Sequence, residues 1–322
     1  MSIISGKKVK LFTLNANRDL AEEISKQSKI PLSSVDVVRF ADGEISINIV
    51  ESVRGHDVFV VQPTSAPVNE HLMEVLIMCD ALRRASAKTI TILMPYYGYS
   101  RQDRKAQSRQ PITAKLVADL LQVAGADRVI CIDLHAAQIQ GFFDIPIDNF
   151  PAAPMLANYF IKKKIKDIVV VSPDHGGATR ARVFARLLDA PLAIIDKRRP
   201  RPNVAEVMNI IGEVEGKVAI MIDDIIDTAG TLVVGAEALL KAGAKEVYAA
   251  ATHPIFSHDA ISKIESSNLT QVVVTNTIQI PHKDKSTKIV QLSIGSLLGE
   301  AVLHVVQDEP ISQIFDSIRS AE

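Results

Sequence analysis

The stretch Met221–Thr231, "MIDDIIDTAGT", sets Asp223, Asp224 and Asp227 behind an apolar run and ahead of Thr228, Ala229, Gly230 and Thr231. Carboxylates accept hydrogen bonds from hydroxyl groups and repel phosphate. Small residues that open a helix do the reverse, because their backbone N–H groups and the helix dipole attract an anion. One segment carrying both chemistries suits a ligand with hydroxyls and a phosphate, a sugar phosphate. An ordinary acidic turn before a capped helix accounts for Asp223 and Asp224, but less well for the small residues that follow.

Four further stretches carry chemistry. "KRRPRPNVAEV" (197–207) gathers Lys197, Arg198, Arg199 and Arg201 around Pro200 and Pro202. Proline opposes helix and ladder pairing, so the spacing predicts an extended, mobile cationic loop of the kind that closes over phosphates. By charge alone the favoured reading is a solvated basic turn or a nuclear-address-like patch. "RFADGEISINI" (39–49) has the Asp42-Gly43 hairpin signal, and nothing more by its chemistry. "MPYYGYSRQDRKAQSRQPI" (94–112) crowds Arg101, Arg104, Lys105 and Arg109 after a strand, in a loop long enough to favour function over a solvated surface. His135 and Asp174 each follow an apolar run, with Asp133 beside the histidine. A carboxylate with substrate oxygens suits Mg²⁺; a lone histidine is more often structural.

The elements that position these residues are legible as alternating patterns. Apolar runs at 8–14, 57–63, 89–95, 128–134, 167–173, 192–197, 217–224, 246–252 and 271–275 read as strands covered on both faces. Between them, 69–84, 112–124 and 232–242 carry helical spacing. This alternation predicts an α/β fold. A helix end, small-residue turn and strand recur at 81–98, 120–137 and 239–256, and "NFPAAPM" (149–155) breaks the chain near its middle.

The 322 residues are 47% hydrophobic and 23% charged, with a net charge of −1. That balance supports a sizeable core and about two domains, and argues against nucleic acid or an acidic membrane as partner. Cys79 and Cys131 read as buried apolar residues. No run approaches the ~18 apolar residues of a membrane span, and the N-terminus lacks a signal-peptide core. The expected location is the cytoplasm.

"IMIDDIIDTAGT" resembles the phosphoribosyl-diphosphate motif of the type I phosphoribosyltransferase fold. "KRRPRP", the Asp42-Gly43 hairpin and the Arg101 loop resemble, in the same order, the motifs of the ribose-phosphate pyrophosphokinases, and the likeness runs from about Leu11 to Phe315. The resemblance implies two similar domains, 1–149 and 150–322, each a central, mostly parallel sheet flanked by helices, with the last helix packing back on the first domain. It implies transfer of the diphosphoryl group of Mg-ATP to ribose 5-phosphate. Lys197 and Arg199 are then catalytic; Phe40, Asp42, Gly43, Glu44, Arg101, Gln102 and Asp103 bind ATP. Arg199, Asp223, Asp224, Asp227, Thr228, Ala229, Gly230 and Thr231 bind ribose 5-phosphate, and His135 and Asp174 hold Mg²⁺. Inorganic phosphate as activator and a homohexamer built from dimers are implied too. Departures fall at Gln107 and Gln110, where an arginine and an acid are common, and at Pro310, where a serine is common. Two rival readings are a phosphoribosyltransferase that consumes the phosphoribosyl diphosphate, which leaves the hairpin and the Arg101 loop idle, and a non-catalytic regulatory homologue, against which the intact "KRRPRP" argues.

Overall fold

The computed structural model describes residues 2–198, 207–281 and 286–314. The chain divides into two compact units: the described residues of the first are 2–151, 277–279 and 293–314, and the second holds the remainder.

The first unit contains, in chain order, β1 (Ser2–Ile4), β2 (Lys7–Thr13), α1 (Arg18–Ser28), β3 (Val35–Arg39), β4 (Ile45–Ile49), β5 (Asp57–Val61), α2 (Val68–Arg84), β6 (Thr89–Leu93), α3 (Thr113–Ala124), β7 (Arg128–Ile132) and β8 (Ile147–Phe150). Its six-stranded sheet has the order β1-β2-β5-β6-β7-β8 and is parallel except for β1. The period of two divides each apolar strand between two faces. Phe12, Val58, Val60, Ile92 and Cys131 face Val75, Met78, Cys79 and Leu82 of α2 and Val117 and Leu121 of α3. Leu11, Phe59, Leu93 and Ile130 alternate with these and are buried as well. Each such side chain contributes about 1.5–3 kcal/mol. Cys79 and Cys131 are free thiols in this core, and burial pushes Cys79 up to about 12 and Cys131 upward likewise. Strands β3 and β4 form their own antiparallel hairpin, with Gly43 at φ 97° in its turn.

The second unit contains α4 (Ala153–Lys163), β9 (Ile168–Ser172), α5 (Ala178–Leu187), β10 (Leu192–Arg198), β11 (Val207–Ile211), β12 (Val218–Ile226), α6 (Gly230–Lys241), β13 (Glu246–Pro254), α7 (Ala260–Ser266), β14 (Gln271–Thr275) and β15 (Ile289–Leu292). Its sheet has the order β11-β10-β9-β12-β13-β14-β15. All neighbours are parallel except β10 and β11. The chain leaves β9 for β10 on one side and resumes at β12 on the other. The carboxyl ends of β9 and β12 therefore flank a topological switch point, where open α/β sheets bind ligands.

All nine expected strands and all three expected helices are present, with ends moved by a few residues. One expectation is corrected: Lys197 pairs with Met208 and Arg198 with Val207 in an antiparallel ladder. Both ends of the basic stretch thus belong to a hairpin, because those residues keep the N–H that proline lacks. Residues 199–206, with both prolines, lie outside the described residues.

A last helix, α8 (Gly295–Gln307), belongs to the first unit and packs on α1. Close approach depends on glycine here: a Cβ at Gly299 would stand 2.5 Å from Gln27 Cβ, and one at Gly295 2.5 Å from Glu23 Cβ.

Candidate active site

In the second unit the apolar run of β12 carries its carboxylates to the switch point. Asp224 is buried, and its backbone N–H donates to Asp223 Oδ1 at 2.8 Å. Arg180, on α5, places Nη1 3.1 Å from Asp223 Oδ1 and 3.2 Å from Asp224 Oδ1. Burial, then the hydrogen bond with Asp224 and its charge, push Asp223 up to about 7, while Arg180 pulls it down. The pair is therefore a strong acceptor site whose resident counter-charge is an arginine.

Residues 227–229 turn from β12 into α6, with Ala229 as N-cap at φ 58°. A helix's first N–H groups have no intrahelical partner and point at whatever sits before them. Gly230 starts the helix with open space where a Cβ would stand, the nearest atom being Thr228 Oγ1 at 3.9 Å. Thr228 and Thr231 are exposed there. The expected anion cradle, Asp227 to Thr231, is thus one loop and helix start beside Asp223 and Asp224.

Asp174 follows β9, the strand paired with β12. It is exposed, and its Oδ1 accepts from Gly177 N at 2.8 Å. Gly177 is closely approached: a Cβ there would lie 3.0 Å from Ser172 Oγ, which would have to shift by a few tenths of an ångström. His175, next in the chain, places Nε2 2.9 Å from Oδ1 of Asp196, a buried side chain one residue before Lys197. The Asp174 turn and the root of the basic hairpin are therefore tied together. Arg199 lies outside the described residues.

In the first unit the nucleotide candidates occupy two places. At the hairpin tip, Phe40 is 58% exposed, Phe40 N donates to Glu44 O, and Glu44 N donates to Asp42 Oδ1. Past the end of β6, the Arg101 loop is well tied. Gln102 Oε1 accepts from Thr113 Oγ1 at 2.5 Å, Ala114 N donates to Gln102 O, and Gln138 Nε2 donates to Asp103 Oδ2 at 2.7 Å. Gly98 permits the fold-back, since a Cβ there would stand 2.5 Å from Thr64 O. Arg101 and His135 are exposed, the latter just past β7. Sequence reasoning missed Arg180, His175 and Asp196. "DHGGATRAR" and "IIDKRR" contain them, but no local spacing pairs residues so far apart in the chain.

Two mostly parallel sheets flanked by helices, one ending in adjacent acids before a small-residue helix start, define a protein of the phosphoribosyltransferase fold. A model of the N-terminal domain of ribose phosphate pyrophosphokinase matches residues 9–125, and a phosphoribosyl synthetase-associated domain matches 199–316. The chain is 63% identical over 308 residues to a ribose-phosphate pyrophosphokinase of Bacillus caldolyticus, covering 96% of this chain and 98% of that one. It is 61% identical over 308 residues to that of Corynebacterium ammoniagenes, with 96% and 97% covered. A crystal structure of phosphoribosylpyrophosphate synthetase from Mycobacterium smegmatis superposes with a TM-score of 0.89 at 42% identity, covering 94% of this chain and all of that one. The chain belongs to the ribose-phosphate pyrophosphokinase family. Its activity is synthesis of phosphoribosyl diphosphate, which this kinship favours over its consumption or a non-catalytic role.

Proposed function

We propose that the clusters described above divide the two substrates between them. Asp223 and Asp224 accept hydrogen bonds from the hydroxyls of ribose 5-phosphate, and Asp227, Thr228, Ala229, Gly230 and Thr231 hold its 5-phosphate. Phe40, Asp42, Gly43, Glu44, Arg101, Gln102 and Asp103 bind ATP. The 1-hydroxyl oxygen bonds to the β-phosphorus, the bond from that phosphorus to the AMP oxygen breaks, and the hydroxyl proton passes to water. Such a transfer depends on positioning and on neutralising charge. Lys197 and Arg199 supply part of that charge.

Mg²⁺ takes one or two carboxylates and completes its shell with water and phosphate oxygens. Asp174 fits that donor set, being exposed with one oxygen already oriented by Gly177 N. His135, in the first unit, is a softer donor and suits Mg²⁺ less naturally. Bound there, the metal neutralises the polyphosphate of ATP. Activation by inorganic phosphate, a homohexamer and a cytoplasmic location complete the proposal; among the described residues no helix is long and apolar enough to cross a membrane.

The observation that carries this reading is the carboxylate pair beside a small-residue helix start at the switch point of β9 and β12. The deciding assay follows AMP release. AMP and phosphoribosyl diphosphate are expected only when ATP, ribose 5-phosphate and a divalent cation are all present. Equal AMP release without the sugar overturns the reading.

A further inference from the structure

Glu74 lies on α2, outside every residue assigned above to a substrate, and is 0% exposed. A carboxylate is costly to bury unless its oxygens are partnered. Here they are. Gln62 Nε2 donates to Oε2 at 2.7 Å, Asn15 Nδ2 to Oε1 at 2.8 Å, Asn15 N to Oε2 at 3.4 Å and Arg39 Nη2 to Oε1 at 3.2 Å. The same Arg39 nitrogen donates to Glu70 Oε2 at 2.6 Å. Gln62 is also fully buried, and its Oε1 accepts from Ala16 N at 3.0 Å. Asn15 and Gln62 stand just past the carboxyl ends of the neighbouring strands β2 and β5. Glu74 therefore joins the binding end of the sheet to one residue of the hairpin.

That residue is in a telling place. The β3–β4 hairpin is a sheet of its own, with no ladder to the six-stranded sheet. Val35, Val37, Ile47 and Ile49 rest half-buried on the core, an apolar seat without directional preference. Past them the hairpin leaves the body of the unit: Val38 is 54% and Phe40 58% exposed. Arg39 lies between those two, and its charged hydrogen bonds are directional where the seat is not.

We propose that Glu74 is a positioning residue for the nucleotide. Through Arg39 it sets how the hairpin tip projects from α2, and hence where Phe40, next in the chain, meets the adenine. The proposal rests on the assignment of the hairpin to ATP.

The test uses the full-length enzyme with Glu74→Gln, which keeps the shape but turns an N–H₂ toward the donors, and with Arg39→Met, which is half-exposed and tolerant of change. ATP affinity is read by calorimetry, KM for each substrate by initial rates, and folding by thermal melting. Both variants are expected to weaken ATP binding about tenfold, to leave KM for ribose 5-phosphate within about twofold, and to be non-additive in the double variant. Unchanged ATP affinity in the folded variants overturns the proposal, as does an equal loss for both substrates that tracks a lowered melting point. If Glu74→Gln does not fold, Arg39→Met alone decides by the same readouts. Phe40→Ala is measured alongside. If it weakens ATP binding while the other two do not, positioning by Glu74 is wrong and the hairpin assignment stands. If Phe40→Ala changes nothing, the assignment itself fails and the proposal with it.

Discussion

Arg180 Nη1 lies 3.2 Å from Asp224 Oδ1, a fixed cation against a carboxylate whose side chain is only 4% exposed. Asp223, beside it and 37% exposed, shares the same nitrogen. Burial first, and then the hydrogen bond and charge of Asp224, outweigh the single guanidinium, and Asp223 holds its proton up to about 7.

A pH dependence follows. The folded value of Asp223 stands above its ordinary 3.8. The stabilisation it gives is complete below that value and lost as pH rises through about 7. The native chain should therefore lose its advantage in urea over Asp223→Asn between about pH 4 and about pH 7. Ribose 5-phosphate needs the ionised acceptor, so its KM should fall over the same rise. A KM that is flat with pH, measured by initial rates, contradicts this.

Asp223→Asn combined with Asp224→Asn should raise KM for ribose 5-phosphate by about tenfold to a hundredfold, since hydrogen bonds to charged groups contribute about 1.5–3 kcal/mol. ATP binding by calorimetry should stay near normal, because the ATP candidates lie on other loops. Loss of ATP binding with sugar phosphate binding intact reverses the assignment.

Lys197→Ala should lower kcat by about a hundredfold or more while KM for ATP changes little, as expected of a charge that acts mainly in the transition state. The rates decide: an unchanged kcat with a raised KM makes Lys197 a binding residue only.

Gly299→Ala should destabilise the protein by about 1–3 kcal/mol, because the new methyl meets Gln27 Cβ at 2.5 Å and α1 or α8 has to shift. Denaturant midpoints measure it. A neutral result means the helices part at no cost.

ADP should inhibit mainly by competing with ATP. Gln107 is exposed and lacks the positive charge common at its place; its N–H donates to Gln110 Oε1 at 3.0 Å. Pro310 offers neither N–H nor hydroxyl, and its carbonyl already accepts from His304 Nδ1 at 3.1 Å. Each missing donor weakens diphosphate binding by about 1–3 kcal/mol. Initial rates against ADP at saturating ATP are the check, and steep, ATP-insensitive inhibition refutes the expectation.

Much of this protein is written locally in its sequence. Apolar runs such as Val218–Ile222 bury on both faces whatever lies beside them, so nine strands of the two parallel sheets could be read from composition and spacing. Asp42-Gly43 makes its turn from the φ freedom of glycine alone, and "DTAGT" makes a helix start from small residues alone. The short strands β1, β8, β11 and β15 are the four edges of the two sheets, where a strand need not be covered on both faces and so need not sit in a long apolar run. Which strands become neighbours is not a local property. Only the tertiary structure places β9 beside β12, so that Asp174 and Asp223 share a switch point, and only it brings Arg180 across 43 positions to Asp223. The same holds for Glu74, whose partners Asn15 and Arg39 stand 59 and 35 positions away. Hydrophobic burial is non-directional and is satisfied by pattern, whereas a buried charge is satisfied only by particular donors at bonding distance, and those are delivered by topology.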